Sequence, residues 1–479
     1  MKSLKNIEMP HVFVLLTMVI FFCSLLTYFI PSGFYERKEM NVDGITRNVV
    51  IPGTYKSIEK EITTKGFILG EQVEDKATPV SITGFLSAIP RGLEKSADIV
   101  FFIFIIGGVF GILQRTGTIL AVMQAMMNFF KDSAALLTLI IMFFIAVGGS
   151  TLGMGEEFIP LVPLFIIMAS KMGYDRIYGL SMVMLAADVG FASATFNPFT
   201  VGIAKGIAEV PLGSDIMFRI IFALSTFTIT LIYVLRYGAK VKKDPSKSLL
   251  AADNRVVDEA AHEEIKLTNK HITILITSVL IFLFIILASV FFGWWLNEMA
   301  GGFFLIGILA VIISKLSLKD AADAFVKGME DMVVAALVVG FARGIEVVLT
   351  DGQILDTLIY SAASVLRDFH NVFAAQGMLL FQTTLNFFIP SGSGQAAVTM
   401  PLMAPLSDVL GLSRTTAVFA FTCGDGFSNT IIPTSGVLMA MLSLANIPFQ
   451  KWLRYMLPLF GWLMLMAVIF LTISVFIHG

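Results

Sequence analysis

Cysteine is nearly missing from this 479-residue chain. Its two copies, Cys23 and Cys423, both lie in apolar runs, which leaves no disulfide framework. Charge is also sparse, at 14% of residues against about a quarter in soluble globular chains. The net charge of −2 gives no basic excess that would point to nucleic acid. The histidines, His11, His262, His271, His370 and His478, are scattered without metal-ligand spacing. No Gly-x-x-x-x-Gly-Lys-Ser/Thr phosphate loop occurs, so ATP-driven transport by this chain alone is unsupported. Sequences that intramembrane proteases require are absent as well. Thr422 stands before Cys423-Gly424-Asp425 where Gly-x-Gly-Asp needs glycine, His-x-x-x-His does not occur, and Ser391 replaces the first glycine of Gly-x-Ser-Gly. An intramembrane enzyme and a channel remain the alternatives to a carrier, and saturable counter-flow separates a carrier from a channel.

Apolar sequence is what the chain has in excess: 56% hydrophobic residues and a mean hydropathy of +0.84. Lipid is therefore its main solvent. The first apolar run, 11–30, is long enough to span a hydrocarbon core of about 30 Å. Tyr28 and Phe29 fill the positions where a signal peptidase needs small residues, so the run is read as a retained helix. Full-length spans are expected near 11–30, 134–148, 216–236, 272–292, 372–389 and 455–476. Segments 98–113, 157–169, 177–196, 302–314, 331–341 and 414–424 look too short or too broken by Gly and Pro to cross alone. Lys2 and Lys5 before the first span, and Lys240, Lys242, Lys243, Lys247 and Arg255 in the long polar loop, place the N-terminus and that loop in the cytoplasm. The expected multi-pass location is a bacterial inner membrane. The mixed-sign stretch 34–81, with Val49, Ile51 and Gly53-Thr54-Tyr55, reads as an outer loop holding a short hairpin.

Internal comparison divides the chain into related halves. Arg91-Gly92-Leu93-Glu94 resembles Lys327-Gly328-Met329-Glu330, and Gly108 falls opposite Gly344 at the same offset. Thr116-Gly117-Thr118-Ile119 matches Asp351-Gly352-Gln353-Ile354 with a one-residue slip. Gly155-Glu156-Glu157 with Pro160 and Pro163 resembles Gly394-Gln395-Ala396 with Pro401 and Pro405. Asp188-Val189-Gly190-Phe191 aligns with Gly424-Asp425-Gly426-Phe427, Pro198 with Pro433, Ala208-Glu209-Val210-Pro211 with Ala445-Asn446-Ile447-Pro448, and Arg219 with Arg454. The resulting organisation is an N-terminal helix (1–33), an outer loop (34–81), repeat 1 (82–238), a cytoplasmic loop (239–270), two linking spans (271–317) and repeat 2 (318–479). Two spans between the repeats give them opposite orientation. The expected fold is an all-α polytopic membrane protein of inverted repeats, the arrangement of alternating-access carriers.

Each half contains two interruptions that carry chemistry. Gly148-Gly149-Ser150-Thr151-Leu152-Gly153-Met154-Gly155-Glu156-Glu157 and Asn386-Phe387-Phe388-Ile389-Pro390-Ser391-Gly392-Ser393-Gly394-Gln395 read as tips of re-entrant hairpins. Glycine allows close backbone approach there, and the returning half-helix offers N–H groups to an anion. The alternative is an ordinary surface loop. Ser193-Ala194-Thr195-Phe196-Asn197-Pro198-Phe199-Thr200 and Asp425-Gly426-Phe427-Ser428-Asn429-Thr430-Ile431-Ile432-Pro433-Thr434-Ser435 read as helices unwound by proline. Freed carbonyls with Ser, Thr and Asn oxygens suit Na⁺, and the alternative is a plain proline kink. Substrate-binding candidates are Ser150, Thr151, Glu156, Asn197, Ser391, Ser393, Gln395, Asp425, Ser428, Asn429, Thr430 and Thr434. Candidate Na⁺ ligands are Ser150, Thr195, Asn197, Ser391, Asn429 and Thr434.

Ionisable residues at membrane depth are few, and each costs ~2.5–3.5 kcal/mol at mid-helix even on the lenient insertion scale. Glu156 and Asp425 are expected to hold a cation, either a coupling ion or a substrate ammonium, with helix capping as the alternative for Glu156 and Glu157. Asp188, one turn before Ala192, either caps or serves the site. Arg343 and Glu346, one turn apart, fit a structural ion pair.

With these residues in view, the chain resembles the YfcC-like branch of the DcuC (C4-dicarboxylate anaerobic carrier) family, within the ion transporter superfamily. The resemblance rests on Gly340-Phe341-Ala342-Arg343-Gly344-Ile345, on Val348-Leu349-Thr350-Asp351-Gly352-Gln353-Ile354-Leu355-Asp356-Thr357, on Pro390-Ser391-Gly392-Ser393-Gly394-Gln395 and on Asp425-Gly426-Phe427-Ser428-Asn429-Thr430. It implies a homodimer, a scaffold domain with a moving transport domain, an elevator mechanism, and a solute held between hairpin tips. Ser428-Asn429-Thr430 looks like the carboxylate- and sodium-binding sequence of related carriers. Ser193-Ala194-Thr195 departs from it, lacking the Asn, although Asn197 lies close. The expected activity is transport of a small carboxylate-bearing solute, an amino acid or a C4-dicarboxylate, coupled to Na⁺ or H⁺ or run by exchange, with no other cofactor.

Overall fold

The computed structural model describes residues 11–42, 45–71, 73–130, 133–211, 213–251, 266–292, 294, 296–366 and 369–478. Helix α1 (Val12–Phe29) leads into a small polar cap. Strands β1 (Ser32–Phe34) and β4 (Lys56–Ile58) pair antiparallel, as do β2 (Arg37–Val42) and β3 (Ile45–Val50), and α2 (Thr64–Leu69) follows. The expected hairpin is thus present, but Gly53-Thr54-Tyr55 lies after β3 rather than at its turn, which falls on 43–44, outside the described residues.

The first half then runs α3 (Ile82–Lys95), α4 (Ala97–Arg115), α5 (Thr118–Phe129), α6 (Ala134–Leu152), α7 (Val162–Lys171), α8 (Arg176–Ala192), α9 (Ile203–Ile207) and α10 (Ile216–Lys243). Helices α11 (Asn269–Phe292) and α12 (Leu296–Ser314) link it to the second half. That half runs α13 (Leu318–Asp331), α14 (Val333–Asp351), α15 (Leu355–Leu366), α16 (Asn371–Asn386), α17 (Gly392–Val409), α18 (Arg414–Ser428), α19 (Gly436–Leu444) and α20 (Phe449–His478). Eight helices therefore recur in the same order.

Local chemistry recurs with them. Ser81 and Ser317 cap the two amphipathic arms α3 and α13, while Asp175 and Ser413 cap α8 and α18. Backbone of positive φ falls at matching places: Gly117 and Gln353, Gly173 and Gly411, Glu209 and Asn446. The match of Gly117 with Gln353 removes the one-residue slip of the sequence comparison.

Equivalent contacts recur in the two halves. Arg414 Nη1 donates to Ala208 O (3.0 Å) and to Glu209 (2.9 Å). Arg176 donates to Ala445 O (3.3 Å) and Asn446 O (2.9 Å). Each guanidinium thus serves carbonyls exposed where the other half's short helix ends.

The arms α3 and α13 cross between the halves, α3 onto α14 and α13 onto α4. Small residues make this close. A Cβ on Gly92 would stand 2.4 Å from Gly340 O, and one on Gly328 would stand 2.2 Å from Gly107 O. A second body forms from α6 on α8, α16 and α17 on α18, and α8 on α18. Among the described residues seven helices are long and apolar enough to cross a membrane, including α4, α12 and α14 at 19 residues each. That corrects the expectation that 98–113, 302–314 and 331–341 are too short, because each helix continues past its most apolar stretch and keeps a mean hydropathy of 2.0–2.2 over the span. Conversely 372–389 is not a full span, since α16 stops at Asn386 after 16 residues. Lipid-type side chains such as Phe29, Phe129 and Phe144 face outwards, 70–82% exposed.

Candidate functional site

Four chain breaks meet in the second body. Helix α6 ends at Gly153, whose φ of +70° stops the helix. A Cβ there would lie 2.3 Å from Asn197 Oδ1, so Gly153 is needed for both conformation and space. Asn197 Oδ1 accepts from Phe199 N (2.9 Å) and starts the π-helical turn Pro198–Gly202. The first two breaks are thereby joined. Helices α8 and α18 cross with Gly426 against Ala192, and the break between α16 and α17 arrives at the crossing. A methyl group on Gly392 would sit 2.6 Å from Thr200 Cγ2, 3.0 Å from Asp425 Oδ2 and 3.5 Å from Phe191 Cζ.

In the second half Asn386 Nδ2, at the end of α16, donates to Asp425 O, Ser428 Oγ and Asn429 Oδ1, each at 2.8 Å. One side chain thus ties the end of α16 to the C-terminal turn of α18. The carbonyl of Thr430, freed beyond that turn, takes the indole N–H of Trp452 at 2.9 Å. Asp425, wholly buried, has no hydrogen-bond partner on either carboxylate oxygen, and Thr200 Oγ1, Asn386 Oδ1 and Thr434 Oγ1 are buried and equally partnerless. Such atoms are rare in folded proteins and mark places where something else binds.

At the first-half breaks Ser150, Ala194 and Thr195 spend their oxygens on partners within the protein. Ser150 O accepts from the N–H groups of Thr195 (2.9 Å), Phe196 and Asn197 (both 3.3 Å). Ser150 Oγ and Thr195 Oγ1 bond to each other at 3.2 Å. Ala194 O, the counterpart of Thr430 O, accepts from Arg219 Nη1 at 3.1 Å. Arg219 is the fourth residue of α10, as Trp452 is the fourth of α20. The structural counterpart of Arg219 is therefore Trp452, and Arg454, its sequence match, is exposed. Arg219 Nε also bonds Asp215 Oδ2 (2.7 Å), and Asp215 bonds Lys205, all three buried. Charge inside protein survives by such pairing.

The remaining candidates divide. Ser391 caps α17, accepting from Gly394 N (3.4 Å), and Ser393 is half-buried in the same first turn. Asp425 and Ser428 belong to the last turns of α18, and Ser393 and Gln395 to the first turn of α17, so they stand at helix ends beside the unwound segments. Gln395 Nε2 is turned into its own hairpin, bonding Gln382 O (2.9 Å) and Oε1 (2.7 Å). Thr430 Oγ1 bonds Phe427 O (2.7 Å) and Thr151 Oγ1 bonds Val147 O (2.6 Å). Glu157 accepts from Gly155 N (2.9 Å), a local capping contact. Glu156 and Asp188 are half-buried and interact with one another electrostatically, and Glu156 also feels Arg343. Arg343 bonds Glu346 at 2.7 Å, the structural pair that their spacing allowed. Sequence reasoning quoted Asn386 and Thr200 within the interrupted segments without naming either as a ligand, and it passed over Gln382. For Asn386 the available signal was an amide at the very end of an apolar helix, next to a Gly/Pro break.

Compared with known proteins, the sequence pattern of the DcuC family, described as C4-dicarboxylate anaerobic carrier, matches residues 9–476. A relative from Escherichia coli (strain K12), "Putative basic amino acid antiporter YfcC", is 33% identical, the match covering 97% of this chain and 96% of that protein. An uncharacterized protein of Haemophilus influenzae is 28% identical over 100% of this chain and 99% of its own length. Among solved structures, the YdaH transporter of Alcanivorax borkumensis has a TM-score of 0.45 at 14% identity, covering 98% of this chain and 99% of that one. MtrF of Neisseria gonorrhoeae, titled as belonging to a class of antimetabolite efflux pumps, has 0.45 at 17% identity, covering 99% and 97%.

Proposed function

The chain belongs to the C4-dicarboxylate anaerobic carrier (DcuC) family, a family of transporters rather than enzymes, and from that membership we propose that it moves a small carboxylate-bearing solute by secondary active transport. The observation that carries the reading is the collection of buried, partnerless polar atoms where the four breaks converge. The solute's carboxylate meets the N-terminal turn of α17, whose N–H groups and dipole favour negative charge. Asn429 and Ser393 border it. Asp425 stands at that same turn, so a carboxylate shares the place only once Asp425 has a positive partner. The α6–α7 and α16–α17 pairs act as re-entrant hairpins of two inverted repeats. They move with α8–α10 and α18–α20 as a transport domain against α3–α5 and α11–α14, an elevator working in a homodimer. The membrane is the bacterial inner one, with the N-terminus cytoplasmic, as Lys2 and Lys5 suggest. A monovalent cation falling through 100 mV supplies about 2.3 kcal/mol towards the uptake.

An amino acid is favoured over a dicarboxylate. Glu156, Glu157, Asp188 and Asp425 outnumber the nearby Arg343, which already has Glu346. The surplus of acid suits a solute that brings an ammonium, received by Glu156 and Asp188. The E. coli relative, named "Putative basic amino acid antiporter YfcC", agrees. The test is uptake and counter-flow in proteoliposomes with arginine, lysine, succinate and fumarate, with and without Na⁺ gradients. Saturable counter-flow of a basic amino acid, lost in Asn429→Ala, is expected. Transport of none of the panel, or unimpaired transport by Asn429→Ala, removes the reading.

A further inference from the structure

We infer that one acyl chain of a membrane phospholipid lodges between α4, α5 and α11 on one side and the α6–α7 break on the other, with the lipid phosphate at the lysine-bearing start of α11. Two cavities carry the inference. The first, of about 230 Å³, is lined by Phe110 and Leu113 of α4, Met123 and Met126 of α5, Met168 of α7 and Leu275 of α11. The second, of about 220 Å³, has Phe158, Val279, Phe282 and Phe303 in its walls. Phe110, Leu113 and Ser278 line both, so the two form one trough. Along α11 it runs from Leu275 to Phe282, about 10 Å of helix.

The walls decide what fits. A buried water needs two to four polar partners, whereas an apolar cavity of about 150 Å³ already takes up benzene. The polar residues in the walls are Thr118, Ser278 and Glu157. Thr118 is engaged with Thr116 (2.8 Å), and Glu157 with Gly155 N (2.9 Å). Aromatic, Leu, Val and Met side chains make the rest, and these match hydrocarbon. Hydrocarbon also lies next door. Leu275 and Val279 are exposed and continue into the outer apolar face of α11, with Ile276, Leu280 and Leu283. The trough therefore opens sideways onto the lipid-facing surface. Beyond its Leu275 end the exposed Lys266 and Lys270 stand with no acid among residues 266–275. Lys270 precedes Leu275 by five residues, about 7.5 Å along the axis, within reach of a lipid phosphate. The inference rests on the transport reading for one consequence only. Its walls belong to both of the bodies that slide there, so the chain is a wedge between them.

The test is photo-cross-linking of the purified full-length protein in liposomes containing phosphatidylglycerol with a diazirine midway along one acyl chain, the labelled residues being read by mass spectrometry. Bulk lipid reaches the exposed Leu280 and Leu283, whereas Met123 and Met168, 3% and 2% exposed, are reached only from inside the trough. Label on Met123 and Met168 is expected in the wild type. Val279→Trp, which fills the mouth, and the double variant Lys266→Gln, Lys270→Gln should each lower that label at least about fivefold and leave Leu283 labelled. Leu283→Trp, outside the trough, should leave the Met123 label unchanged. Label confined to outward residues in the wild type, or undiminished Met123 label in folded Val279→Trp or in the double lysine variant, would overturn the proposal. Failure of the uptake panel with the Met123 label intact would strike the transport reading and leave this result standing.

Discussion

Asp215 holds two buried cations, Lys205 and Arg219, at the foot of the first-half break. Replacing it by alanine strands both, and an uncompensated buried charge costs ~3–5 kcal/mol. Thermal unfolding of Asp215→Ala in detergent should therefore occur far below the wild-type temperature, and an unchanged melt would contradict the network. Trp452 makes a quieter contribution. Trp452→Phe keeps most of the ring packing but leaves Thr430 O buried without a donor, a loss of about 1–3 kcal/mol. The same melting assay reads it, with a smaller expected shift than for Asp215→Ala.

The crossing arms respond to size rather than charge. Gly92 and Gly328 lie against backbone carbonyls of the opposite half, at 2.4 and 2.2 Å for an added Cβ. Flexible side chains can yield, but a main-chain oxygen cannot, so Gly92→Val and Gly328→Val should each lose stability by more than the ~1–3 kcal/mol typical of overpacking. A melting temperature equal to wild type in either variant would refute the close approach. Both glycines belong to the first pair of segments that the sequence comparison matched, and the order of helices and breaks was readable there because glycine and proline punctuate the chain. Element lengths were less readable. Helices α4, α12 and α14 run past their most apolar stretches and still reach 19 residues each, with a mean hydropathy of 2.0–2.2 over the span. The site was legible as segments and not as contacts. Ser428, Asn429 and Asp425 stood out from composition, but Asn386 could be recognised only once α16 was laid against α18. The counterpart of Arg219 is a tryptophan, so no residue-by-residue comparison could have paired them.

At the scale of the molecule, the two bodies touch where α19 lies on α14, and a Cβ on Gly436 would lie 3.4 Å from Val339 Cβ. That spacing is near the range of a disulfide. The native Cys23 and Cys423 are buried and free, so a Val339→Cys, Gly436→Cys pair can be oxidised selectively. Cross-linking should stop counter-flow and reduction should restore it; full activity in the oxidised state would mean that α14 and α19 do not slide past one another. The indole bond to Thr430 has a consequence for observing such motion. Trp452 is wholly buried, whereas Trp294 is half-buried and Trp462 is 58% exposed. With the other three tryptophans replaced by phenylalanine, emission from Trp452 should report on the second break, so loading of the carrier can be followed by fluorescence without any attached dye.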